Sequence, residues 1–596
     1  MRSLIVLVII SVIMQMPVYA QEHMQAIAAC LGTDAIEDAD PYEVENMEDL
    51  IRHPVAVNLV SISRLKETGL FTPYQIASLS DYRSRHGDVM SFSELEALDG
   101  FGHEAISRLA PFISLETFRS PSQKTKDGLY VHNEISFKSG ASTGKLPTYG
   151  LKYRMDAGEP MSASFSVSRT SDASSFSPDA FSGNLTVRFR KIQGALTVGD
   201  FNARFGQGLA LWNGMGIGGI PAPSSLMKRP AGISASSSFT GKYAMRGLAG
   251  HILLHKIKIS PFLAFDLSEK EISVLPGINL NLLLRDANFS FTHYSDMTFA
   301  TTKSSVNDMK TSLDMSLCVD GTDIFAETAY DWVSRSSASL AGVVFPVGEY
   351  LRTGVVGRFY PADYSASRSS AIRSLTKCSN EYSVSMSSEF SAGEWIDLKG
   401  REGFGSSVRR SSGMFSLDFA YFPVPKDAES DKSIQLKVKA DWSFMMSSAW
   451  KIKIRISERV RTWDMPFRSE IRTEITYDTG MMTLISRTDV VRCADLAMLT
   501  YAEAGYKKGN SAIYLRLGTF KADDWDDRIY VYERDAPGSF NVPAYYGRGF
   551  WASAMFRLRF ARWGRAYLRA SACTYAIMKQ PKPGKAELRL QIELDI

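Results

Sequence analysis

The chain has 596 residues, 45% of them hydrophobic and 22% charged, with a net charge of +4. Its five cysteines (Cys30, Cys318, Cys378, Cys493, Cys573) show no CxxC spacing, so neither a disulfide framework nor a zinc finger is indicated. No segment reaches the roughly 18 consecutive apolar residues of a membrane helix, and no P-loop or HExxH signature points to an enzyme or to a small-molecule cofactor.

Arg2 precedes an apolar run from Leu4 to Met14, and Val18 and Ala20 stand at the −3 and −1 positions of a cleavage site. Residues 1–20 therefore read as a signal peptide that takes the chain out of the cytoplasm. Charge is then split along the sequence. Residues 21–120 hold 7 Lys/Arg against 17 Asp/Glu, a balance of −10, and residues 121–596 hold 60 against 47, a balance of +13. An acidic front and a basic back suggest two units with different partners.

Residues 21–50 are acidic and short of aromatics, and are expected to be a mobile arm. From 51 to 116 the apolar spacing is helical. "SISRLKETGLF" predicts a short helix and a turn at Gly69, and "PYQIASLSDYRSRHG" a helix stopped at Gly87. In "SFSELEALDGFG", Ser91 and Glu94 stand at capping-box spacing, and "HEAISRLAPFI" predicts a last helix ended by Pro111. The polar residues 117–127 predict a linker.

From 128 to 596 the period changes to two. "IQLKVKADWSF" alternates Ile434, Leu436, Val438, Ala440, Trp442 and Phe444 with Lys437, Lys439 and Asp441. "WKIKIRIS" sets Ile452, Ile454 and Ile456 against Lys451, Lys453 and Arg455, and the chain ends on the same pattern in "ELRLQIELDI". A soluble sandwich alternates too. Repeated ten-residue strands over some 470 residues behind a signal peptide favour a closed membrane barrel, which removes every sheet edge. The predicted fold is thus mainly β: a large antiparallel transmembrane β-barrel of about 22 strands (range 20–26), preceded by a small all-α domain. Trp442, Trp450, Trp463, Trp551 and Trp563 fit interface girdles, and the serine-rich stretches 161–182 and 362–376 read as loops.

The helical stretches "VNLVSISRLKETGLF", "IASLSDYRSRHGDVMSFSELEALDGFG" and "LAPFI" resemble the paired helix-hairpin-helix domain of ComEA-type competence proteins. The resemblance implies hairpins of the form GxG whose backbone approaches a DNA phosphate. The residues in those positions are Gly69, Leu70, Gly100, Phe101, Gly102 and His103. This copy departs from the pattern: Phe71 replaces the second glycine of the first hairpin, and Glu104 follows His103 in the second. Residues 51–116 hold 6 basic and 8 acidic residues, a balance of −2 that opposes phosphate binding. A docking module, plug or scaffold therefore stands beside DNA capture, with the charge favouring the former. The whole chain also resembles outer-membrane proteins of diderm bacteria that join such a domain to a large barrel, on "GDFNARFGQGLALWNGMGIGG" (199–219) and "YVYERDAPGSFNVPAYYGRGF" (530–550). That resemblance implies an outer-membrane location and a periplasmic N-terminal domain.

Other strings carry less. "GMGIGG" lacks the βαβ context of a dinucleotide loop and reads as glycines that let a loop fold inward. "GASTG" (140–144) reads as a turn. His251 and His255, placed on one strand, would stand about 13 Å apart, too far to share a metal. "DDWDDR" (523–528) reads as a solvated loop rather than a calcium site. The basic residues on inward strand positions (Lys437, Lys439, Lys451, Lys453, Arg455, Arg557, Arg559) would attract anions, whether DNA, acidic glycans or lipopolysaccharide.

The expected function is an outer-membrane channel or export-associated barrel whose helical domain docks a periplasmic protein partner or gates the lumen. The alternative is a DNA-uptake component. An interior filled by residues 213–240 would exclude passive transport and favour a scaffold.

Overall fold

A computed structural model of the chain describes residues 21–117, 131–392, 411–576 and 583–596, apart from 34, 159, 171, 172, 174, 190, 191, 215–218, 240, 242, 268–270, 301–303, 349, 427–432 and 448. The signal peptide and all of the linker but Thr117 lie outside the described residues.

Twenty-four antiparallel strands, from His132–Ser142 to Lys585–Asp595, close into one barrel. The count falls inside the expected range. Closure joins the last strand to the first, with Leu590 opposite Ser139 and Asp595 opposite Glu134. Strand spacing and tilt for this number put opposite walls roughly 45–50 Å apart. The alternation resolves into two faces. Leu436, Trp442, Ile454, Ile456, Ile471, Leu515, Leu517 and Leu588 are exposed on the outside, while Lys437, Lys439, Arg455, Arg472 and Glu593 point inward. An apolar outer belt on a barrel without edges marks a membrane-spanning wall.

The barrel's two ends differ. One carries both termini of the wall, tied by Asn133–Ile596 backbone bonds of 2.9 and 2.7 Å, together with connections as short as His255–Lys256, Asp320–Gly321 and Arg562–Trp563. The other carries the long loops 205–244, 361–380 and 523–546. Exposed Trp442, Trp450 and Trp563 rim the first end. Trp551 corrects the girdle assignment. It is 3% exposed and points inward, under Ile529 and Tyr545 of loop 523–546. The stretch 161–182 is also corrected: Met161–Arg169 and Ala180–Phe189 are wall strands, and the loop is confined to the residues between them.

The acidic front is helical, which corrects the mobile arm. Helix α1 (Gln21–Leu31) and helix α2 (Pro41–Arg52) flank a short 3₁₀ turn, Ile36–Asp38. Asp40 caps α2 by accepting from the Tyr42 N–H, with Pro41 in the first turn. Ile27, Val44 and Met47 share one core with Leu65, Leu70, Phe71, Ile76, Leu79, Leu95, Phe101, Ile106 and Phe112. Those residues belong to helices α3 (Ile62–Glu67), α4 (Pro73–His86), α5 (Phe92–Glu96) and α6 (Gly102–Leu109) and their joints. The reciprocal capping box is at Thr72 and Gln75. At Ser91 only half of one forms, because the Glu94 side chain turns to the Met90 N–H and the Tyr82 hydroxyl. Buried Asn58 ties the joint between α4 and α5 to the end of the domain by donating to the Val89 and Leu115 carbonyls and accepting from the Val89 N–H.

Candidate functional site: an acidic plug in a basic lumen

The helical domain sits inside the barrel. Its carboxylates meet the inward basic residues of the wall. Glu37 contacts Arg487 and, at 3.7 Å, Arg472. Asp38 lies 3.1 Å from both Lys439 and Arg455. Asp49 pairs with Arg154, Glu67 with Arg188 at 3.2 Å, and Asp99 with Arg285 at 3.3 Å. Pairs of the opposite sense complete the seat. Arg52 reaches Glu134 at 2.9 Å and Glu593 at 3.1 Å, and Arg64 reaches Asp156 at 2.9 Å. Burial would raise the Glu37 carboxyl, but Arg487 and Arg472 overcome it and hold the group well below the usual range. In the same way Arg154 and Arg52 outweigh burial and hold Asp49 at about 2.

The basic residues singled out in the sequence fall in several places. Lys437 lines the main cavity, of about 790 Å³, between plug, wall and loops. Lys439 and Arg455 bind the plug, and Lys451 donates to the Gln25 side chain at 3.4 Å. Lys453 lines a second cavity, of about 420 Å³. Arg557 lies on the same strand side as inward-pointing Trp551 and buried Met555, away from the plug contacts described above. Arg559 is exposed near the short-turn end and donates to the Arg562 carbonyl.

The hairpin residues are divided as well. Leu70 is fully buried, its carbonyl accepts from Arg229, and Gly69 faces Ala231 of loop 205–244. Phe101 is buried edge-on against Phe71, ring centroids 6.2 Å apart. At Gly100, with φ +82°, a Cβ would stand 2.7 Å from the Tyr74 ring, so the glycine serves packing. Of the six, Gly100, Gly102 and His103 are exposed, and His103 stands 3.3 Å from Glu96.

From the far end, two loops enter the lumen and meet the plug. Both contain the stretches singled out above. In 205–244, the Gln207, Leu209 and Ala210 N–H groups converge on the Glu327 carboxylate at 2.7, 3.0 and 3.3 Å. Gly206 and Gly208 supply the left-handed turns that aim these amides at one anion. Phe201, Phe205, Leu209, Leu211 and Leu226 then pack with wall residues Tyr294, Phe325, Leu340 and Tyr360 in an apolar core. Loop 205–244 thus folds inward as expected, although four residues of "GMGIGG" (215–218) lie outside the described set.

In 523–546, Glu533 binds Arg569, Arg534 binds Glu503 at 2.7 Å and Asp535 binds Arg589. In "DDWDDR", Asp523, Asp524 and Trp525 are exposed, as a solvated loop implies, and Asp527 is the buried exception. Asp527 is buried and accepts from the N–H groups of Cys493, Ala494 and Asp495, while Asp523 pairs with Arg548. His255 is corrected: it occupies a turn with φ +57° rather than the strand of His251. The loops touch the plug through Gly538 N–H to Glu48 at 2.7 Å, Tyr532 N–H to Glu37 at 3.1 Å, and Ala222 N–H to the Gly32 carbonyl at 2.8 Å.

Two plug carboxyls titrate the other way. Burial, with Glu43 alongside, pushes Asp40 up to about 7. Burial likewise pushes Glu48 up to about 8, offset in part by the Gly538 N–H and Arg52. A carboxyl whose seated pKa exceeds its free value binds more protons when seated. Its contribution is largest near the free pKa and falls as pH rises to the seated one. Seating should therefore loosen between pH 5 and pH 8. Protease protection of residues 21–116 should drop over that interval, and drop less in an Asp40→Asn/Glu48→Gln chain; equal slopes in the two chains would refute the assignment.

No known protein family matches the sequence, and no curated protein does. Among solved structures, the chain is similar to the usher in an E. coli P pilus tip assembly intermediate (PapC-PapD-PapK-PapG), with a TM-score of 0.41 at 9% identity, over 78% of this chain and 60% of that one. It is similar to the copper transporter OprC, with a TM-score of 0.37 at 9% identity over 80% and 81%. It is also similar to Pseudomonas aeruginosa OpdK with vanillate, with a TM-score of 0.28 at 8% identity over 78% and 98%. The chain spans less than two thirds of the first of these. The likeness is one of barrel fold.

Proposed function

We propose that the chain is an outer-membrane conduit closed by its own N-terminal helical domain, and that the domain is released toward the end bearing the short turns. Barrels of this class put short turns in the periplasm and long loops outside; on that rule the short-turn end, and the plug's exposed face with Met90, Phe92 and His103, would face the periplasm. A periplasmic protein acting on that face would unseat the plug.

The observation that carries the proposal is the complementarity of the two halves: the acidic helical domain is seated on the basic lumen. Its seat on the wall is made of ion pairs and hydrogen bonds, the character of an interface between units that move, while Tyr532 and Phe540 of loop 523–546 pack against its core. Loop 205–244 is held instead by an apolar core and stays with the wall. The filled interior argues against passive diffusion, and the contrast between the two fillings argues for a gate over a fixed scaffold. Unseating exposes Lys437, Lys439, Lys451, Lys453, Arg455, Arg472 and Arg487, a surface for an anionic polymer. DNA capture by paired hairpins is not favoured, because the first hairpin is enclosed by loop 205–244 when the plug is seated.

In planar bilayers the full-length chain should be closed at rest. Moderate urea should open it, because the polar seat yields before the hydrogen-bonded wall. A large steady conductance without urea would show that the domain does not close the pore. Absence of opening at every concentration short of barrel unfolding would make the domain a permanent scaffold.

A further inference from the structure

We propose that Asp49, His53, His132 and Glu134 form a site for a divalent transition-metal ion of the zinc type, which clamps the plug to the wall. Asp49 and His53 stand four residues apart at the end of α2, and so on one face. His132 and Glu134 are two apart on the first wall strand, and so face the lumen together. One ligand atom each from Asp49, His53 and Glu134 lie within 4.8 Å of one another. His53 Nε2 is 3.3 Å from a Glu134 oxygen, close to the ~3.3–3.5 Å between two ligands of a tetrahedral ion with bonds near 2.0–2.1 Å. The His132 ring is centred 5.3 Å from that of His53, and its buried Nε2 has no hydrogen-bond partner. A buried ring nitrogen left unpaired costs free energy, and an ion supplies the missing partner.

The neighbouring guanidiniums leave room for it. Arg52 takes the other Glu134 oxygen, and Arg154 bonds both Asp49 oxygens, each of which keeps a second lone pair for an ion, while Glu593 and Asp156 keep the surroundings from becoming cationic. The main cavity reaches Asp49, His53 and His132 and gives an entry path. Two imidazoles with two carboxylates suit zinc, whereas calcium and magnesium take oxygen ligands throughout. This site depends on where the plug sits and not on whether it moves, so its failure would leave the gate untouched.

The test uses the full-length folded chain, stripped with chelator and dialysed against zinc alone. One ion per chain should be retained. His53→Ala and His132→Ala should each weaken retention by about tenfold or more, with His255→Ala as an unaffected control. Cobalt in place of zinc should give a visible spectrum of tetrahedral nitrogen ligation that the two variants alter. His53→Gln and His132→Gln, with folding checked by the barrel's heat-modifiable gel mobility, cover any alanine variant that misfolds. Failure to retain zinc in a stoichiometric amount, or retention unchanged when both imidazoles are replaced, would overturn the proposal.

Discussion

Deleting residues 21–116 should convert a closed barrel into a permanently open pore, with conductance raised by about an order of magnitude or more. The estimate follows from the width: a wall roughly 45–50 Å across loses the domain that fills much of it. The wall should survive the loss. Arg455 keeps Asp441 at 2.5 Å, Arg487 keeps Asp489 at 2.7 Å and Arg472 keeps Asp489 at 2.6 Å, so water and wall carboxylates solvate the charges that the plug vacates. Because these partners remain, the open pore should prefer anions only modestly. Bilayer recording with a salt gradient checks both points. A deletion variant no more conductive than the full chain would show that the loops close the lumen unaided.

Glu327→Ala should destabilise the barrel by about 3–5 kcal/mol, the scale for removing a buried charged partner from groups that stay buried. Three backbone N–H groups at 207, 209 and 210 lose their common acceptor. Loop 205–244 should then become open to protease before the wall unfolds. Glu327→Gln keeps an acceptor oxygen and should cost clearly less. Urea-dependent unfolding from bilayers measures the difference, and a loss under about 1 kcal/mol in the alanine variant would mean that the core alone holds the loop.

The wall was legible in the sequence because a period of two is a local property, visible in any ten residues around Leu436 or Ile454. The helices after 51 were legible for the same reason, through Gly69, Gly87 and Pro111. Helix α2 was not. Its buried positions Tyr42, Val44 and Met47 are few and lie among acidic residues, although Asp40–Pro41 carried a readable cap. The charge asymmetry was visible, but its meaning was not: the anion that meets Lys439 and Arg455 is Asp38 of the same chain, some 400 residues away. Contacts of that range leave no periodicity. The Glu533-Arg534-Asp535 tripeptide, whose three side chains go to three different wall strands, is hidden for the same reason.

Arg52 has a consequence for how the molecule is built. It bonds Glu134 on the first strand and Glu593 on the last, so one residue of the segment made first bridges the junction sewn last. Glu134, Glu593 and Asp595 crowd that junction with like charge. Without Arg52, Arg565 is the guanidinium partner that the described residues leave for Glu593 and Asp595. A chain lacking the N-terminal domain should therefore close that seam more slowly than the full chain, against the repulsion of its own carboxylates, while still reaching the closed wall.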